Sequence, residues 1–149
     1  MEKKNKERHK TISAVFLVLL KDVNCKKQVL LQLRQNTGYM DGKWDLCASG
    51  HVEENELIEN AVIRETKEEI GLIIKKSDIR FVHLRHWNEE NYFNFFFTCE
   101  KFDGLPQIME PEKCLELKWF DLDDLPKNLT DHNKLALESI KKGICYEIK

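Results

Sequence analysis

The stretch from Gly50 to Leu72 constrains the fold more than any other part of this chain, because it joins a helical pattern to an unusual placement of acids. We predict a helix over residues 56–71, with Asn55 as its N-cap. Gly71 is placed to end the helix in a left-handed turn, a conformation that glycine adopts at little cost. Such a helix needs another layer against which to bury its apolar face.

Three glutamates near the end of this helix, Glu65, Glu68 and Glu69, are poorly placed for stability. The helix dipole is negative there, and like charges three or four residues apart repel one another by roughly 0.2–0.5 kcal/mol per pair. At about 100° per residue, Glu65 and Glu69 lie on the same stripe as two apolar residues. These are Ile58 and Val62. The acids therefore continue the apolar face, and packing on a sheet would aim them into a groove beside the core.

A divalent cation would offset carboxylates in such a groove, because unpaired buried charges are very unfavourable. The alternative is a solvated acidic helix end without a ligand. The shared stripe and the conflict with the helix dipole favour a metal site. Ligands that are all oxygen atoms suit a hard cation that keeps water molecules and bridges phosphates.

The same stretch closely resembles the signature of the Nudix hydrolase family. That signature reads glycine, five residues, glutamate, seven residues, arginine-glutamate, an aliphatic residue, any residue, two glutamates, any residue, glycine and an aliphatic residue. The chain has the fixed positions at the required spacing: Gly50, Glu56, Arg64, Glu65, Glu68, Glu69, Gly71 and Leu72. Thr66 departs from it, since it stands at the first aliphatic position, where its methyl group partly fills the packing space. This agreement is far more specific than a lone glycine motif.

The resemblance implies a fold, a ligand set and a brace. The fold is α/β: a Nudix-type α/β/α sandwich with a mixed β-sheet between helices. The ligands of Mg²⁺ or Mn²⁺ would be Glu65, Glu68, Glu69 and the backbone carbonyl of Ser49. Glu56 and Arg64 would pair and brace the motif together with Gly50 and Gly71, since a guanidinium holds a carboxylate through two bonds. The alternative for Arg64 is a plain position on a solvated polar face.

The implied reaction is hydrolysis of the pyrophosphate bond in a nucleoside diphosphate linked to a group X. Bound cations would neutralise phosphate oxygens, position a water molecule in line with phosphorus and lower its pKa. Glu69 or Glu68 is the expected general base, and Glu65 completes the catalytic set. Spacing alone does not separate a metal ligand from a proton acceptor.

Related enzymes also draw an acid from a loop ahead of the last strand. In this chain the stretch MEPEKCLEL provides Glu110, Glu112 and Glu116. Glu112 is our first choice as an added metal ligand. Ordinary solvated loop glutamates are the alternative.

Substrate contacts are expected from the loop that follows the second predicted strand. Arg34 ends that strand and Lys43 lies in the loop, so both are candidates for holding phosphates; otherwise each is a plain surface cation. Tyr39, Trp44 and Trp87 are candidates for stacking on a base, although large aromatic residues more often belong to the core.

Composition limits the classes of function. With 149 residues we expect one domain over residues 11–149, preceded by a flexible basic tail over residues 1–10. The 24 basic and 26 acidic residues give a net charge of −2, which argues against a stable nucleic-acid complex or an anionic membrane partner. Five scattered cysteines without a C-x-x-C pair indicate reduced thiols and a cytoplasmic protein. The apolar run TISAVFLVLL is too short to span a bilayer, and no signal-peptide cleavage site follows it.

Apolar and alternating runs predict the remaining elements. Strands are expected at residues 12–20, 28–34, 44–47, 79–85, 92–99 and 115–120. A second helix is expected from residue 131 or 132 to residue 142, with Gly143 ending it. Strands interrupted by two helices indicate a mixed sheet between helical layers.

The leading hypothesis is a MutT-like, metal-dependent pyrophosphohydrolase that acts on a (deoxy)nucleoside triphosphate or a related small nucleotide. An ADP-ribose or nucleotide-sugar pyrophosphatase is the alternative substrate class. A non-catalytic Nudix-fold module that binds a nucleotide belongs to a different functional class, but such modules usually lack some of the motif carboxylates. The oligomeric state, monomer or homodimer, is open.

Overall fold

The computed structural model describes residues 8–149, so the predicted tail over residues 1–10 falls mostly outside the described residues. Within them the chain forms eight strands and two α-helices. In chain order these are β1 Ile12–Val23, β2 Lys26–Arg34, β3 Trp44–Leu46, β4 Ala48–His51, α1 Ile58–Ile70, β5 Ile79–Trp87, β6 Tyr92–Cys99, β7 Cys114–Asp121, α2 Asp131–Lys141 and β8 Tyr146–Ile148.

The eight described strands belong to one mixed sheet. Its order is β3-β2-β1-β6-β5-β8, with β4 paired to β1 and β7 paired to β2. The pairs β1–β6 and β5–β8 are parallel, and the other pairs are antiparallel. Strand β1 is long enough to serve both halves of the sheet, since residues 14–17 pair with β4 and residues 20–23 pair with β2.

Alternate side chains of β1 build two separate cores, because successive residues of a strand point to opposite faces of a sheet. One core contains Val15, Leu17 and Leu19 together with Ala61 and Val62 of α1. The other contains Val18 and Leu20 together with Ala136 and Leu137 of α2. The sheet therefore lies between helices, which confirms the predicted α/β/α sandwich.

The predicted strands and the second helix are present, with ends that shift by at most three residues. Sequence patterns missed two short strands, β4 and β8, which take their places by pairing with β1 and β5. The predicted N-cap of α1 was wrong. Asn55 has a left-handed backbone with φ 62°, and Leu57 occupies the N-cap position without a side-chain cap.

The end of α1 is as predicted, and it is also where the loop after residue 104 joins the helix. Gly71 has φ 70°, and its N–H donates to the carbonyl of Lys67 at 3.1 Å. Two N–H groups of that loop satisfy the last carbonyls of the helix: Gln107 donates to Ile70 at 2.9 Å and Met109 donates to Glu69 at 3.2 Å. These bonds bring the loop acids close to the end of α1. Within residues 8–149, neither helix is long and apolar enough to cross a membrane.

Thr66 offers a test of the one departure from the motif. Its side chain is fully buried, and its hydroxyl donates to the carbonyl of Val62 at 2.6 Å. Thr66→Val should keep the free energy of unfolding within about 1 kcal/mol of wild type, because the two side chains have similar volumes and the lost bond from the hydroxyl to the carbonyl four residues earlier contributes little to a helix. Thr66→Ser should lose about 1 kcal/mol, because it removes one buried methyl group. Equilibrium unfolding in urea measures both values, and a larger loss in the valine variant would contradict this account.

Candidate active site

The candidate site lies where the second half of α1 faces strand β4. Two predicted acids reach this strand. The amide N–H of Ser49 donates to Oε2 of Glu69 at 2.7 Å. Glu65 lies directly over Gly50, where an added Cβ would overlap the Glu65 carboxylate. Glycine at position 50 therefore leaves the room that this carboxylate needs.

Glu69 is the most unusual charge of the site. Burial raises its pKa to about 8, and the charges of Glu65, Glu110 and Asp45 add to the rise, while the bond from Ser49 opposes it. That bond is the one hydrogen bond of the Glu69 side chain within the described residues. A carboxylate so placed calls for a positive partner.

Arg64 supplies positive charge to the neighbouring acids. Its Nε and Nη2 donate to the two oxygens of Glu56 at 2.8 and 3.0 Å, which is a two-bond fork. Its Nη1 donates to Glu65 at 2.7 Å, and Nη2 also donates to the carbonyl of His51 at 3.0 Å. The fork lowers the pKa of Glu56 and raises the pKa of Arg64. Arg64 thus ties the loop before α1 and the end of β4 to the acids of the helix.

Glu68 lies at the rim of the site. Its side chain is 55% exposed and reaches Arg64 at 3.4 Å. Glu65 and Glu68 thus contact Arg64, whereas Glu69 contacts Ser49. In the conformation described for residues 8–149, no three Asp, Glu, His or Cys side chains lie close enough together to hold one metal ion.

One loop acid, Glu110, lies near this site, and the expectation that Glu112 is an added metal ligand stays a prediction. Burial is the main cause that raises the pKa of both Glu65 and Glu69, and the charge of Glu110 contributes to each rise. Glu112 is exposed. The N–H of Met109 donates to the carbonyl of Glu69 at the end of α1, so the next residue, Glu110, lies beside that end of the helix. Residue spacing alone does not reveal this contact.

Two predicted substrate residues have other roles in the structure. Trp44 is only 8% exposed, and its ring packs edge-on against Phe120 with centroids 4.8 Å apart, so it belongs to the core and does not face a ligand. Arg34 pairs with Asp45 at 3.0 Å and donates to the carbonyl of Tyr39 at 3.0 Å. Arg34 therefore holds its own loop, and its role as a phosphate ligand stays a prediction.

A cleft of about 510 Å³ shares Ser49 and Gly50 with the acid site. Its other lining residues include Phe16, Tyr39, Trp87, Tyr92, Asn94 and His132. Tyr39 and Trp87 thus line this cleft, and their role as substrate contacts, like that of Lys43, stays a prediction. Sequence reasoning missed Phe16, Asn94 and His132. For Asn94 a signal existed, since it is the one amide in the aromatic run of β6.

The comparisons with known proteins agree on the family. The model for the NUDIX domain matches residues 10–141. The chain is 34% identical over 96 residues to the NAD-capped RNA hydrolase NudC of Shigella flexneri, a match over 64% of this chain and 36% of that protein. The chain thus spans little more than a third of the length of the curated relatives it matches.

Solved structures with the same fold also belong to NUDIX proteins. The MutT NUDIX hydrolase from Burkholderia pseudomallei has a TM-score of 0.74 and 28% identity, and the match covers 87% of this chain and 98% of that one. The NUDIX domain of Shewanella oneidensis NrtR, complexed with ADP ribose, has a TM-score of 0.68 and 22% identity, with 93% and 92% covered. The second likeness is one of fold alone.

The matched region contains the whole stretch from Gly50 to Leu72, and the fold around it is the one that the stretch predicted. This chain therefore belongs to the NUDIX domain family.

Proposed function

We propose that this protein is a metal-dependent pyrophosphohydrolase that cleaves a nucleoside diphosphate linked to X, with a (deoxy)nucleoside triphosphate or a related nucleotide as substrate. The observation that carries the proposal is Glu69, a half-buried side chain whose pKa is raised by burial and by the charges of Glu65 and Glu110. Such a concentration of negative charge is unfavourable for folding, and proteins retain it where it serves a ligand or a reaction.

The kinds of donor atom suit Mg²⁺ or Mn²⁺, although in the described conformation of residues 8–149 no three of the acids lie close enough to share one ion. Glu65, Glu69 and Glu110 offer carboxylate oxygens, Glu68 lies at the rim, and the backbone carbonyl of Ser49 is the further ligand that the family resemblance implies. Hard cations prefer ligands of this kind. When bound, the metal would neutralise phosphate oxygens and lower the pKa of a water molecule.

The side chains of the site have two further roles, which are to position the acids and to accept a proton. Arg64 fixes the positions of Glu56 and Glu65 through charge-assisted bonds, which are stronger than neutral ones. Glu69 is our first candidate for the general base, because the bond from Ser49 orients it. Glu68 is the second candidate, because it is open to solvent.

The relatives widen the list of substrates that deserve a test. NudC is named as a hydrolase of NAD-capped RNA, and the NrtR domain holds ADP ribose. Cleavage of ADP-ribose or of a nucleotide sugar is therefore the alternative substrate class. A module that binds a nucleotide without cleaving it is the alternative function.

Glu69→Gln should lower turnover by about 10²–10⁴-fold, the usual contribution of a general acid or base, while the fold is retained. The assay would add Mg²⁺ and follow product release from dNTPs, oxidised dNTPs, ADP-ribose, dinucleoside polyphosphates and nucleotide sugars. Glu54→Gln is the matched control, because Glu54 is exposed in the loop before α1. Full activity of the Glu69 variant would remove this residue from the chemistry, and tight binding without cleavage across the panel would favour the binding module.

Metal binding at Glu69 should also change the melting temperature of the protein. The pKa of Glu69 in the folded protein, about 8, lies above the value of 4.5 for an unperturbed glutamate, so protonation favours the folded state. This contribution is present below the unfolded pKa and is lost as the pH rises through about 8. With a chelator at about pH 8.5 we expect Glu69→Gln to melt at a higher temperature than wild type. Added Mg²⁺ should then raise the Tm of wild type and not of the variant; an equal rise in both would exclude Glu69 as a ligand.

Gly50→Ala tests the close approach of Glu65 to β4. The added Cβ would displace the carboxylate, so we expect a loss of about 1–3 kcal/mol in the free energy of unfolding and a loss of activity. The double variant Gly50→Ala/Glu65→Ala should regain stability but not activity, because it removes the clash and the acid together. Unfolding in urea and the hydrolysis assay measure the two effects. A stable and active Gly50→Ala variant would show that this contact is not needed.

A further inference from the structure

Arg85 is a buried cation on the side of the sheet that packs against α2. Its side chain is only 2% exposed. Nη2 donates to Oε2 of Glu147 in β8 at 2.7 Å, and Nη1 donates to the backbone carbonyl of His132 in the first turn of α2 at 2.8 Å. One guanidinium therefore joins β5, β8 and α2.

The cluster around Arg85 is not a fully paired network. Within the described residues, the buried atoms Nε of Arg85 and Nε2 of His83 have no hydrogen-bond partner. Nε2 of His83 lies 3.7 Å from Oε2 of Glu147, which is too far for a hydrogen bond. Buried ion pairs are often no more stabilising than apolar side chains of similar size. The charge of Arg85 thus indicates a role beyond the stability of the fold.

Glu147 fixes the direction of the guanidinium. While Oε2 accepts the bond from Arg85, Oε1 accepts the hydroxyl of Ser139 in α2 at 2.8 Å. The bond from Arg85 is the main cause that lowers the pKa of Glu147, so this carboxylate is ionised at neutral pH. Because a guanidinium is planar, a carboxylate that holds one of its nitrogens also sets where the others point.

Two neighbours of Arg85 line the cleft of about 510 Å³ next to the acids, here called the aromatic cleft. They are His132, whose carbonyl accepts the bond from Nη1, and Trp87, whose ring centroid lies 5.9 Å from the guanidinium carbon of Arg85. Arg85 and Glu147 instead line a second cavity of about 320 Å³ between α2 and β8. Arg85 therefore reaches the aromatic cleft only through its neighbours.

We propose that Arg85 positions His132 and Trp87 in the wall of the aromatic cleft, and that it thereby sets the affinity for a ligand and not the rate of bond cleavage. Side chains that contact a ligand keep their positions when bonds behind them hold them in place. Because Arg85 lies outside the lining of the cleft, it is a positioning residue and not a catalytic residue. This inference rests on the proposed function, since it takes the cleft as the place where part of a nucleotide lies.

The test measures the binding of AMP, GMP, CMP and UMP by calorimetry in the presence of a chelator, so that neither metal nor cleavage is involved. Arg85→Met keeps most of the length of the side chain and removes its hydrogen bonds. We expect this variant to bind the tightest of the four nucleotides about 10- to 100-fold more weakly than wild type, the usual loss when a bond that orients a ligand-contacting group is removed. Arg80→Met, at an exposed position of the same strand, is the matched control and should change nothing.

Two further variants separate positioning from charge and from stability. Arg85→Lys keeps the charge, but an ammonium group cannot hold two partners in one plane, so the affinity should stay low. Arg85→Met/Glu147→Leu replaces the ion pair by apolar side chains and should recover most of the Tm that Arg85→Met loses. Its affinity should stay low, because the bond to the carbonyl of His132 is still absent. Circular dichroism melts verify that each variant is folded before binding is measured.

Kinetic constants give a readout that a loss of stability alone would not change. With Mg²⁺ and a nucleotide that wild type cleaves, Arg85→Met should raise KM and leave kcat nearly unchanged, because it removes binding that the ground state and the transition state share. A fall in kcat with an unchanged KM would contradict the inference.

Four results of the binding experiment would overturn the inference. They are no binding of any of the four nucleotides by wild type, wild-type affinity in folded Arg85→Met, wild-type affinity in Arg85→Lys, and recovery of affinity together with Tm in the double variant. The proposed hydrolysis is tested separately. Binding that depends on Arg85 with no cleavage of any substrate would reject the hydrolase and retain the positioning role, whereas cleavage with unchanged KM and kcat in Arg85→Met would reject the positioning role alone.

Discussion

The close contact between α1 and β4 is the constraint on which the site depends. Glu65 lies against Gly50, and Glu69 accepts the backbone N–H of Ser49. Glu65 can lie this close to the strand because Gly50 has no side chain. The same strand residues line the aromatic cleft, so one contact joins the acids to the place where a ligand fits.

The acids around this contact differ in whether a positive charge stabilises them. Arg64 binds Glu56 and Glu65 and reaches Glu68, so a single guanidinium stabilises the loop, the strand and the helix at once. Glu69 receives a neutral N–H bond instead of a cation, and its pKa rises because of burial. Structural charges in proteins are usually paired, whereas functional charges are often left in unfavourable surroundings. Because of this difference, we assign Arg64 and Glu56 to the structural frame and propose Glu69 for the chemistry.

Buried polar groups also lie beside the core that packs against α2. Asp45 is buried and accepts bonds from Arg34, Thr130 and Asn133, which tie the loop after β2 to the start of α2. Networks of this kind favour one arrangement of a core, and here one buried atom of the network, Oδ1 of Asn133, has no partner within the described residues. The loop that carries Tyr39 is therefore held by Arg34, which donates to the carbonyl of Tyr39 and to Asp45.

The sequence by itself determined the helix, the stripe of acids and the layered fold, because these follow from the periodicity of a helix and of a strand. It also located the turn at Gly71, where a left-handed backbone is required. Only the tertiary structure decided that Trp44 packs in the core, that the charge of Glu110 reaches Glu65 and Glu69, and that Asn94 lines a cleft. These positions depend on which strands pair and on how a loop is bonded to the end of a helix. Such contacts join residues far apart in the chain, and local spacing carries no record of them.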